Sequence, residues 1–262
     1  LCGESGCGKT TLTRLLNGLI PNYYEGRLEG RVFIDGKSIV EKPLYEIASL
    51  TGSVFQNPRS QFFAVDTNSE LAFGCENLGI AENEIIARMK RTVAELHIET
   101  LMDRSIFALS GGEKQKIACA SAAMMEPEVF VLDEPSSNLD MDAIEDLRRT
   151  LELLKKQGKT ILIAEHRIYY LRELVDRIAY MENGAISAVF SPSQFLSIPE
   201  EQRHSMGLRA LDLSKVQPRA IAENSQKPIL EVRNLSLFYK KKSVLDDLNL
   251  SAAPGEIIGI IG

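Results

Sequence analysis

The stretch Gly3–Thr10, with the sequence GESGCGKT, decides the fold of this chain. Its spacing, Gly-x4-Gly-Lys-Thr, is that of a phosphate-binding loop, in which glycines let the backbone turn so that successive N–H groups point at phosphate oxygens. We expect a helix to begin at this loop and to end near Gly18. The positive end of the helix would attract an anion, while Lys9 would bridge the outer phosphates and the Thr10 hydroxyl would bind Mg²⁺.

A second stretch, Val129–Leu132, is a short continuous apolar run of the kind typical of a buried parallel strand. Asp133 and Glu134 follow it directly. In open α/β sheets, ligands bind at the carboxyl ends of the strands. The sequence therefore predicts an α/β fold with these two carboxylates at the ligand-binding edge.

The segment Leu109–Glu113, LSGGE, lies between the two stretches and resembles the signature motif of the ATP-binding cassette (ABC) ATPases. The family motif is of the LSGGQ type, so Glu113 is a mild departure from it. The resemblance implies a P-loop NTPase core with a mostly parallel sheet, a helical subdomain that carries the signature and an antiparallel β subdomain. It also implies that the signature of one cassette covers the ATP held by the phosphate loop of a second cassette.

The same resemblance assigns roles around the two carboxylates. Asp133 would hold Mg²⁺ through water, and Glu134 would be the general base for the attacking water. Gln56 would touch metal and water, His166 would contact the γ-phosphate, and Ser137–Asp140 would couple the two sites of a cassette dimer. The predicted catalytic residues are Glu134, His166 and Gln56; the predicted nucleotide-binding residues are Gly3, Ser5, Gly6, Gly8, Lys9, Thr10, Thr11, Ser110, Gly111, Gly112 and Tyr239; the predicted metal ligands are Thr10, Gln56 and Asp133.

Within the family, most of residues 1–190 look most like the ATPases of energy-coupling factor (ECF) importers. This implies an ATP-binding and ATP-hydrolysing subunit that powers a membrane importer of vitamins or metal ions. Its partners would be a second ABC cassette, a transmembrane coupling protein and a substrate-binding membrane protein. The stretches that carry this resemblance are Gln56–Phe63, Glu70–Asn77 and Ala164–Arg167.

By the same resemblance, a groove behind Gln56 would receive a coupling helix of the transmembrane partner. We expect Gln61, Phe62 and Phe63 to lie at this groove, with at least one of the two phenylalanines lining it. The alternative is that both phenylalanine rings belong to the core.

Composition limits the classes of partner. The chain has 262 residues and a net charge of −6, so no global basic field would attract nucleic acid. The four cysteines lack Cys-x-x-Cys spacing, which argues against a zinc site and for a reducing compartment. Because no stretch reaches the roughly 18 apolar residues of a membrane span, we expect a cytoplasmic protein held at the inner face of the membrane by transmembrane partners.

Two other function classes stay open at this stage. Soluble ABC ATPases act in DNA repair, usually with a long coiled coil before the signature, or in translation, where basic insertions are typical. Neither feature is evident in the sequence. The other class is a chain that binds nucleotide without hydrolysing it, since a second phosphate loop, a second signature and a second catalytic carboxylate do not occur in these residues.

The predicted organisation is a first cassette over residues 1–190, with a helical subdomain at about 66–125, then a linker over 191–228 and the first strands of a second cassette over 229–262. The linker is expected to have a little structure, with short helix starts at Ser191–Pro192 and Ile198–Pro199. We infer a fragment of a tandem protein, because the strands expected before Gly3 are missing. Tyr239 matches the adenine-stacking position of the family. Residues 229–262 would then complete the first cassette like a circular permutant, or else form a tail without contacts.

Local signals predict three further elements. Asp35–Gly36 and Asn183–Gly184 are typical turns of β-hairpins. A helix is expected from Asp140 to Gln157, before Gly158. The apolar run Thr160–Ala164 is predicted to be the strand that leads to His166.

Overall fold

A computed structural model of the chain describes residues 1–211, 226–239 and 242–260. The chain divides into two compact units, Leu1–Leu213 and Ser214–Gly262. The helices are α1 (Lys9–Leu16), α2 (Leu19–Asn22), α3 (Leu44–Leu50), α4 (Thr67–Asn77), α5 (Glu82–Glu95), α6 (Gly111–Met124), α7 (Met141–Lys156), α8 (Pro192–Ser197) and α9 (Glu200–Ser205). The strands are β1 (Phe33–Ile34), β2 (Lys37–Ser38), β3 (Thr51–Val54), β4 (Val129–Asp133), β5 (Thr160–Ala164), β6 (Ile178–Glu182), β7 (Ala185–Phe190), β8 (Leu230–Tyr239) and β9 (Lys242–Ala252).

The centre of the first unit is a parallel sheet in the order β3-β4-β5. In its register Val54 pairs with Leu132, and Asp133 pairs with Ala164. Strand β4 is apolar and almost wholly buried because helices and loops cover both faces of the sheet. The predicted buried strand and the α/β fold are therefore confirmed, and Asp133 stands at the carboxyl edge of the sheet.

The first two residues of the chain connect β5 to β6. The Glu165 N–H donates to the carbonyl oxygen of Leu1 at 3.0 Å, and the N–H of Cys2 donates to the carbonyl oxygen of Ala179 at 2.9 Å. The N–H of Met181 donates in turn to the carbonyl oxygen of Cys2 at 2.8 Å. The phosphate-binding loop therefore starts from a segment that is tied on both sides.

Helix α1 begins at Lys9, where the sequence predicts it, and ends before Gly18. Gly8 precedes it with φ 108° and Gly18 follows with φ 75°. Both values lie in the left-handed region, which glycine enters without a steric penalty. These two glycines therefore account for both ends of the helix.

The predicted helical region, about 66–125, contains α4, α5 and α6. Ile85 and Met89 of α5 pack with Leu71 of α4 and Ile117 of α6 in one apolar cluster. Ala118, Cys119 and Ala122 of α6 belong instead to the cluster around β4. Helix α6 is therefore buried on two sides and is shared by the two clusters.

Two antiparallel hairpins of the first unit turn at the predicted signals. Strands β1 and β2 meet at Asp35–Gly36 with φ 48° and 69°, and β6 and β7 meet at Asn183–Gly184 with φ 48° and 80°. Positive φ at both turn residues is what a two-residue hairpin requires. The third hairpin, β8 with β9, forms the second unit.

The first part of the predicted linker has its two helices at the predicted starts, but it also packs into the core, which the sequence pattern did not predict. Residues 191–211 contain α8 and α9, and Phe195, Leu208 and Leu211 are buried in a cluster with Cys2 and Tyr180. The physical reason is that the three apolar side chains pack on residues distant in sequence, and the composition of the segment itself does not show this. Residues 212–225 of the predicted linker lie outside the described residues.

The second unit contains the β8–β9 hairpin and residues up to 260. Tyr239 ends β8 and is exposed. The completion of the first cassette by residues 229–262 stays a prediction. Among the described residues, none of the helices is both long and apolar enough to cross a membrane.

Candidate active site

The phosphate-binding loop has the backbone shape that its glycines predict. Gly3, Gly6 and Gly8 have φ values of 148°, 83° and 108°. A Cβ atom at Gly3 would lie 2.1 Å from the carbonyl oxygen of Met181, so a larger residue cannot fit without movement of the backbone. A Cβ at Gly6 would meet nothing within 4 Å. The loop is thus packed tightly at its base and open at its tip, where a phosphate chain can approach.

Lys9 lies within the loop and is buried. Its Nζ donates to the carbonyl oxygens of Gly3 and Glu4, both at 3.0 Å, and lies 3.7 Å from the Sγ of Cys7. Helix α1 begins at this residue, so the partial positive charge of the helix terminus adds to the ammonium charge. The loop therefore offers a concentrated positive potential to an anion.

Thr10 and Asp133 bring two oxygen donors together at the edge of the sheet. The Thr10 hydroxyl donates to Asp133 Oδ1 at 3.1 Å. Burial raises the pKa of Asp133, and the neighbouring Glu134 charge raises it further, while the Thr10 hydrogen bond acts in the opposite direction. A hydroxyl beside a carboxylate whose negative charge is poorly solvated fits Mg²⁺, which prefers oxygen ligands and one or two protein carboxylates.

Each oxygen of the Glu134 carboxylate has a nitrogen of a neighbouring side chain close to it. Gln56 Nε2 donates to Oε2 at 2.9 Å, and His166 Nε2 lies 3.1 Å from Oε1. The backbone of Glu134 has φ 44°, and its N–H donates to the carbonyl oxygen of Ala164 at 2.8 Å. The three residues predicted to be catalytic are thus joined to one another by their side chains.

His166 is neutral near pH 7. Burial lowers its pKa, the positive charge of Lys9 lowers it further, and the carboxylate of Glu134 raises it by a smaller amount. With Nε2 at 3.1 Å from a carboxylate oxygen, a neutral imidazole avoids lone-pair repulsion only if that nitrogen carries the proton. His166 therefore presents an N–H on the side of Glu134.

The signature segment lies at the start of α6. Ser110 is the N-cap: its Oγ accepts from the N–H of Glu113 at 3.2 Å, and Glu113 Oε2 accepts from the Ser110 N–H at 2.7 Å. The Ser110 N–H and then Arg104, at 2.8 Å from Glu113 Oε1, lower the pKa of Glu113. Glutamate at the fifth position of the motif therefore closes a capping box in its charged form.

The signature glycines also pack closely against the next helix. A Cβ at Gly112 would lie 2.7 Å from the Cβ of Ala143 in α7, and a Cβ at Gly111 would lie 3.5 Å from the carbonyl oxygen of Asn138. The signature and the Ser137–Asp140 loop are therefore direct neighbours within this chain.

The hydrogen bonds and close contacts divide the predicted site residues into groups. One group joins Thr10 to Asp133, and a second joins Gln56, Glu134 and His166. The remaining residues are Gly3, Gly6, Gly8 and Lys9 of the loop, the exposed Ser5 and Thr11 in and after the loop, the signature Ser110, Gly111 and Gly112 at α6, and Tyr239 in the second unit.

Sequence reasoning missed Glu165, although it lies next to the predicted His166. Its carboxylate is buried and accepts hydrogen bonds from the N–H groups of Ser136, His166 and Arg167 and from the hydroxyl of Tyr170. A signal was present: a charged residue at the carboxyl end of an apolar strand is unusual unless it has partners. The identity of those partners required the fold.

Comparison with known proteins agrees with this geometry. The family model described as ABC transporter matches residues 1–137. An ABC transporter ATP-binding protein of Treponema denticola is 45% identical over 268 residues, covering 100% of this chain and 55% of that protein. A second, of Pyrococcus horikoshii, is 34% identical over 82% of this chain and 80% of that protein.

A solved structure, CbiO1 of Clostridium perfringens, described as part of the ABC transporter complex CbiONQ, matches with a TM-score of 0.67. It is 31% identical and the match covers 78% of this chain and 80% of that one. This chain spans about half the length of the two Treponema denticola relatives that it matches. The ATP-binding proteins of these transporters are ATPases, and this chain belongs to the ABC transporter family.

Proposed function

We propose that this chain is the ATP-binding and ATP-hydrolysing part of an ECF-type importer of vitamins or metal ions. The observation that carries the proposal is the carboxylate of Glu134, held between Gln56 and His166 beside the Thr10–Asp133 pair. The similarity to CbiO1, which is part of a transporter complex, supports the ECF assignment.

In the proposed reaction, ATP is the substrate. The N–H groups of the phosphate-binding loop and Lys9 bind its phosphates, and the helix terminus adds to the attraction. Mg²⁺ would be held by Thr10, Asp133 and the amide oxygen of Gln56, and when bound it neutralises charge on the phosphates.

Glu134 would remove the proton from the attacking water. Gln56 and His166 fix its two oxygens, so the carboxylate does not have to reorganise when the reaction starts. The Nε2–H of His166 would be shared between Glu134 Oε1 and the γ-phosphate as negative charge develops on that phosphate.

The complete site requires a second ABC cassette. Ser110 accepts from the Glu113 N–H, which leaves the proton of its hydroxyl free to donate outward. We propose that this hydroxyl and the glycine amides contact ATP held by the other cassette. Binding of ATP would close the two cassettes, and hydrolysis would release them.

Transmembrane partners would dock beside Gln56, which places the protein at the inner face of the membrane. Phe63 is 73% exposed and stacks on Phe73 with 4.8 Å between ring centroids. Val65 and Phe107 are also exposed, and the Val65 carbonyl oxygen accepts from the N–H of Ile106, next to Phe107. We propose that this apolar patch receives a short helix of a transmembrane coupling protein.

Phe62 and Gln61, which precede Phe63, have structural roles within the chain. Phe62 is partly buried and packs against the clusters around β4 and α4. The amide oxygen of Gln61 accepts from the N–H of Phe55 at 3.2 Å, and its Nε2 donates to the carbonyl oxygen of Ser53 at 3.1 Å. We therefore assign the docking role to Phe63 and a supporting role to the other two.

The decisive test of the function is Mg²⁺-dependent ATP hydrolysis by the chain and by Glu134→Gln. Loss of a general base lowers the rate by about 10²–10⁴-fold, and we expect this fall with ATP affinity retained. Glu173→Gln, in which an exposed glutamate changes in the same way, is the matched control. Equal turnover in wild type and Glu134→Gln refutes the assignment, whereas binding without turnover in wild type favours a nucleotide-binding role only.

We propose in addition that residues 229–262 complete the first cassette and that Tyr239 stacks on adenine. The test compares ATP affinity in Tyr239→Ala and in Phe238→Ala, since both rings are exposed neighbours on β8. A loss of affinity confined to Tyr239→Ala is expected. Equal affinities in the two variants and in wild type mean that the tail takes no part.

A further inference from the structure

We propose that Glu165 is a positioning residue that joins the loop carrying His166 to the loop that follows Glu134, and that its effect on ATP hydrolysis passes through His166. The inference rests on the proposed function, which supplies the reaction, and goes beyond it by naming the group that holds the γ-phosphate sensor in place.

The carboxylate of Glu165 is buried, and both of its oxygens accept hydrogen bonds. The residue is 3% exposed. Its Oε2 accepts from the N–H groups of His166 and Arg167 at 2.7 and 3.0 Å. Its Oε1 accepts from the N–H of Ser136 at 3.1 Å and from the hydroxyl of Tyr170 at 2.9 Å. Four donors therefore converge on two oxygens.

Only a carboxylate satisfies all four donors. A buried carboxylate is costly unless hydrogen bonds compensate it, and the compensation here comes from three backbone amides and one hydroxyl. In a glutamine, one of the two oxygens becomes an NH₂ group, which would face donors with a donor. Glu165→Gln therefore breaks the contacts of one loop while keeping the size of the side chain.

The anchored loops are the ones that carry the reacting groups. Ser136 lies two residues after Glu134, and His166 directly follows Glu165. The contact between His166 Nε2 and Glu134 Oε1, at 3.1 Å, closes a ring of contacts through Glu134, Ser136, Glu165 and His166. A shift of either loop is thus transmitted to the His166–Glu134 contact.

Arg167 reinforces the connection from the other side. Its Nη1 donates to the carbonyl oxygens of Ser136 and Leu139, both at 3.3 Å. Leu139 lies in the Ser137–Asp140 loop, which is the segment predicted to face a second cassette. Two kinds of contact therefore join that segment to the His166 loop. Glu165 accepts from the N–H of Ser136, and Arg167 donates to the carbonyl oxygens of Ser136 and Leu139.

The test combines kinetics with a double-mutant cycle. We expect Glu165→Gln to lower kcat by about tenfold or more while ATP affinity stays within about threefold, because Lys9 and the phosphate-binding loop keep their own contacts. In a His166→Ala background, Glu165→Gln should lower kcat by less than about twofold, since residues that act through one group are not additive. Glu173→Gln is the control for loss of a glutamate charge.

A second arm measures amide hydrogen exchange without nucleotide. Glu165→Gln should speed exchange at Ser136, His166 or Arg167, while the amide of Ala143, which is bonded to the Asp140 side chain, stays unchanged. Tyr170→Phe removes a single donor and keeps the carboxylate, so it provides a folded variant with a smaller effect if Glu165→Gln does not fold.

Both measurements can contradict the proposal. Additive losses in the cycle, or a loss of ATP affinity as large as the loss of kcat, would show that Glu165 only supports the fold. Unchanged exchange at all three amides would overturn the anchor itself. If the wild-type chain does not hydrolyse ATP, the proposed function fails, and the exchange arm still tests whether Glu165 joins the two loops.

Discussion

Replacement of Phe195 by alanine tests whether residues 191–211 belong to the first folded unit. The ring is 1% exposed, lies 5.9 Å from the ring of Phe190 and packs in a cluster with Cys2, Ile178 and Tyr180. Truncation of a buried phenylalanine removes its transfer free energy and leaves a cavity, with a total cost of about 3–5 kcal/mol. For a unit of this size, each kcal/mol lowers Tm by about 2–4 °C.

We therefore expect Phe195→Ala to lower the Tm, followed by circular dichroism, by about 6–20 °C. Leu196→Ala is the matched control, because Leu196 is the next residue of α8 and is exposed. The control should change stability by about 0.5 kcal/mol or less. Equal Tm values for the two variants would refute the packing of α8 and restore a linker that begins near residue 191.

Three further predictions concern the loop, the metal edge and the thiols. Gly3→Ala, whose Cβ would lie 2.1 Å from a carbonyl oxygen, should destabilise the chain by about 3 kcal/mol and abolish ATP binding; Gly79→Ala, with φ 69° but no neighbour within 4 Å, should lose about 1 kcal/mol in urea unfolding and bind ATP normally. The pKa of Asp133 is higher in the folded than in the unfolded chain, so ionisation of Asp133 destabilises the fold. This cost is absent at low pH, grows as the pH rises from the unfolded to the folded pKa, and is complete above the folded pKa. Asp133→Asn should therefore raise the Tm at pH 7 and leave it unchanged at pH 3, and an equal gain at both would contradict the burial argument. Burial raises the pKa of Cys119 to about 12, so iodoacetamide at pH 8 should modify it only after unfolding, and rapid labelling of the native chain, read by peptide mass, would refute this.

Local patterns predicted those parts of the fold in which neighbouring residues decide the outcome. The apolar run Val129–Leu132 forms a parallel strand because every side chain in it can be buried. Helix α1 starts where Gly8 takes a positive φ, and the hairpins turn at Asp35–Gly36 and Asn183–Gly184 for the same reason. In each case the physical cause lies within a few residues of the motif.

Features that depend on distant residues were not accessible in this way. Burial of Phe195 needs Cys2 and Tyr180, which are far from it in sequence. The anchor at Glu165 needs Ser136, which is 29 residues away and arrives through the parallel register of Asp133 with Ala164. Glu165 could be recognised as a buried charge from its position, but the donor at Ser136 follows only from the pairing of β4 with β5.

Helix α6 packs against two apolar clusters, so a change in the packing at one end of the helix would move the other end. Its 14 residues span about 21 Å at 1.5 Å per residue. A tilt of about 10° around its carboxyl end would move Ser110 by roughly 3–4 Å over that length, which is more than the length of a hydrogen bond. A small rearrangement of the side chains around the carboxyl end of α6 would therefore displace the Ser110 hydroxyl by more than the length of a hydrogen bond.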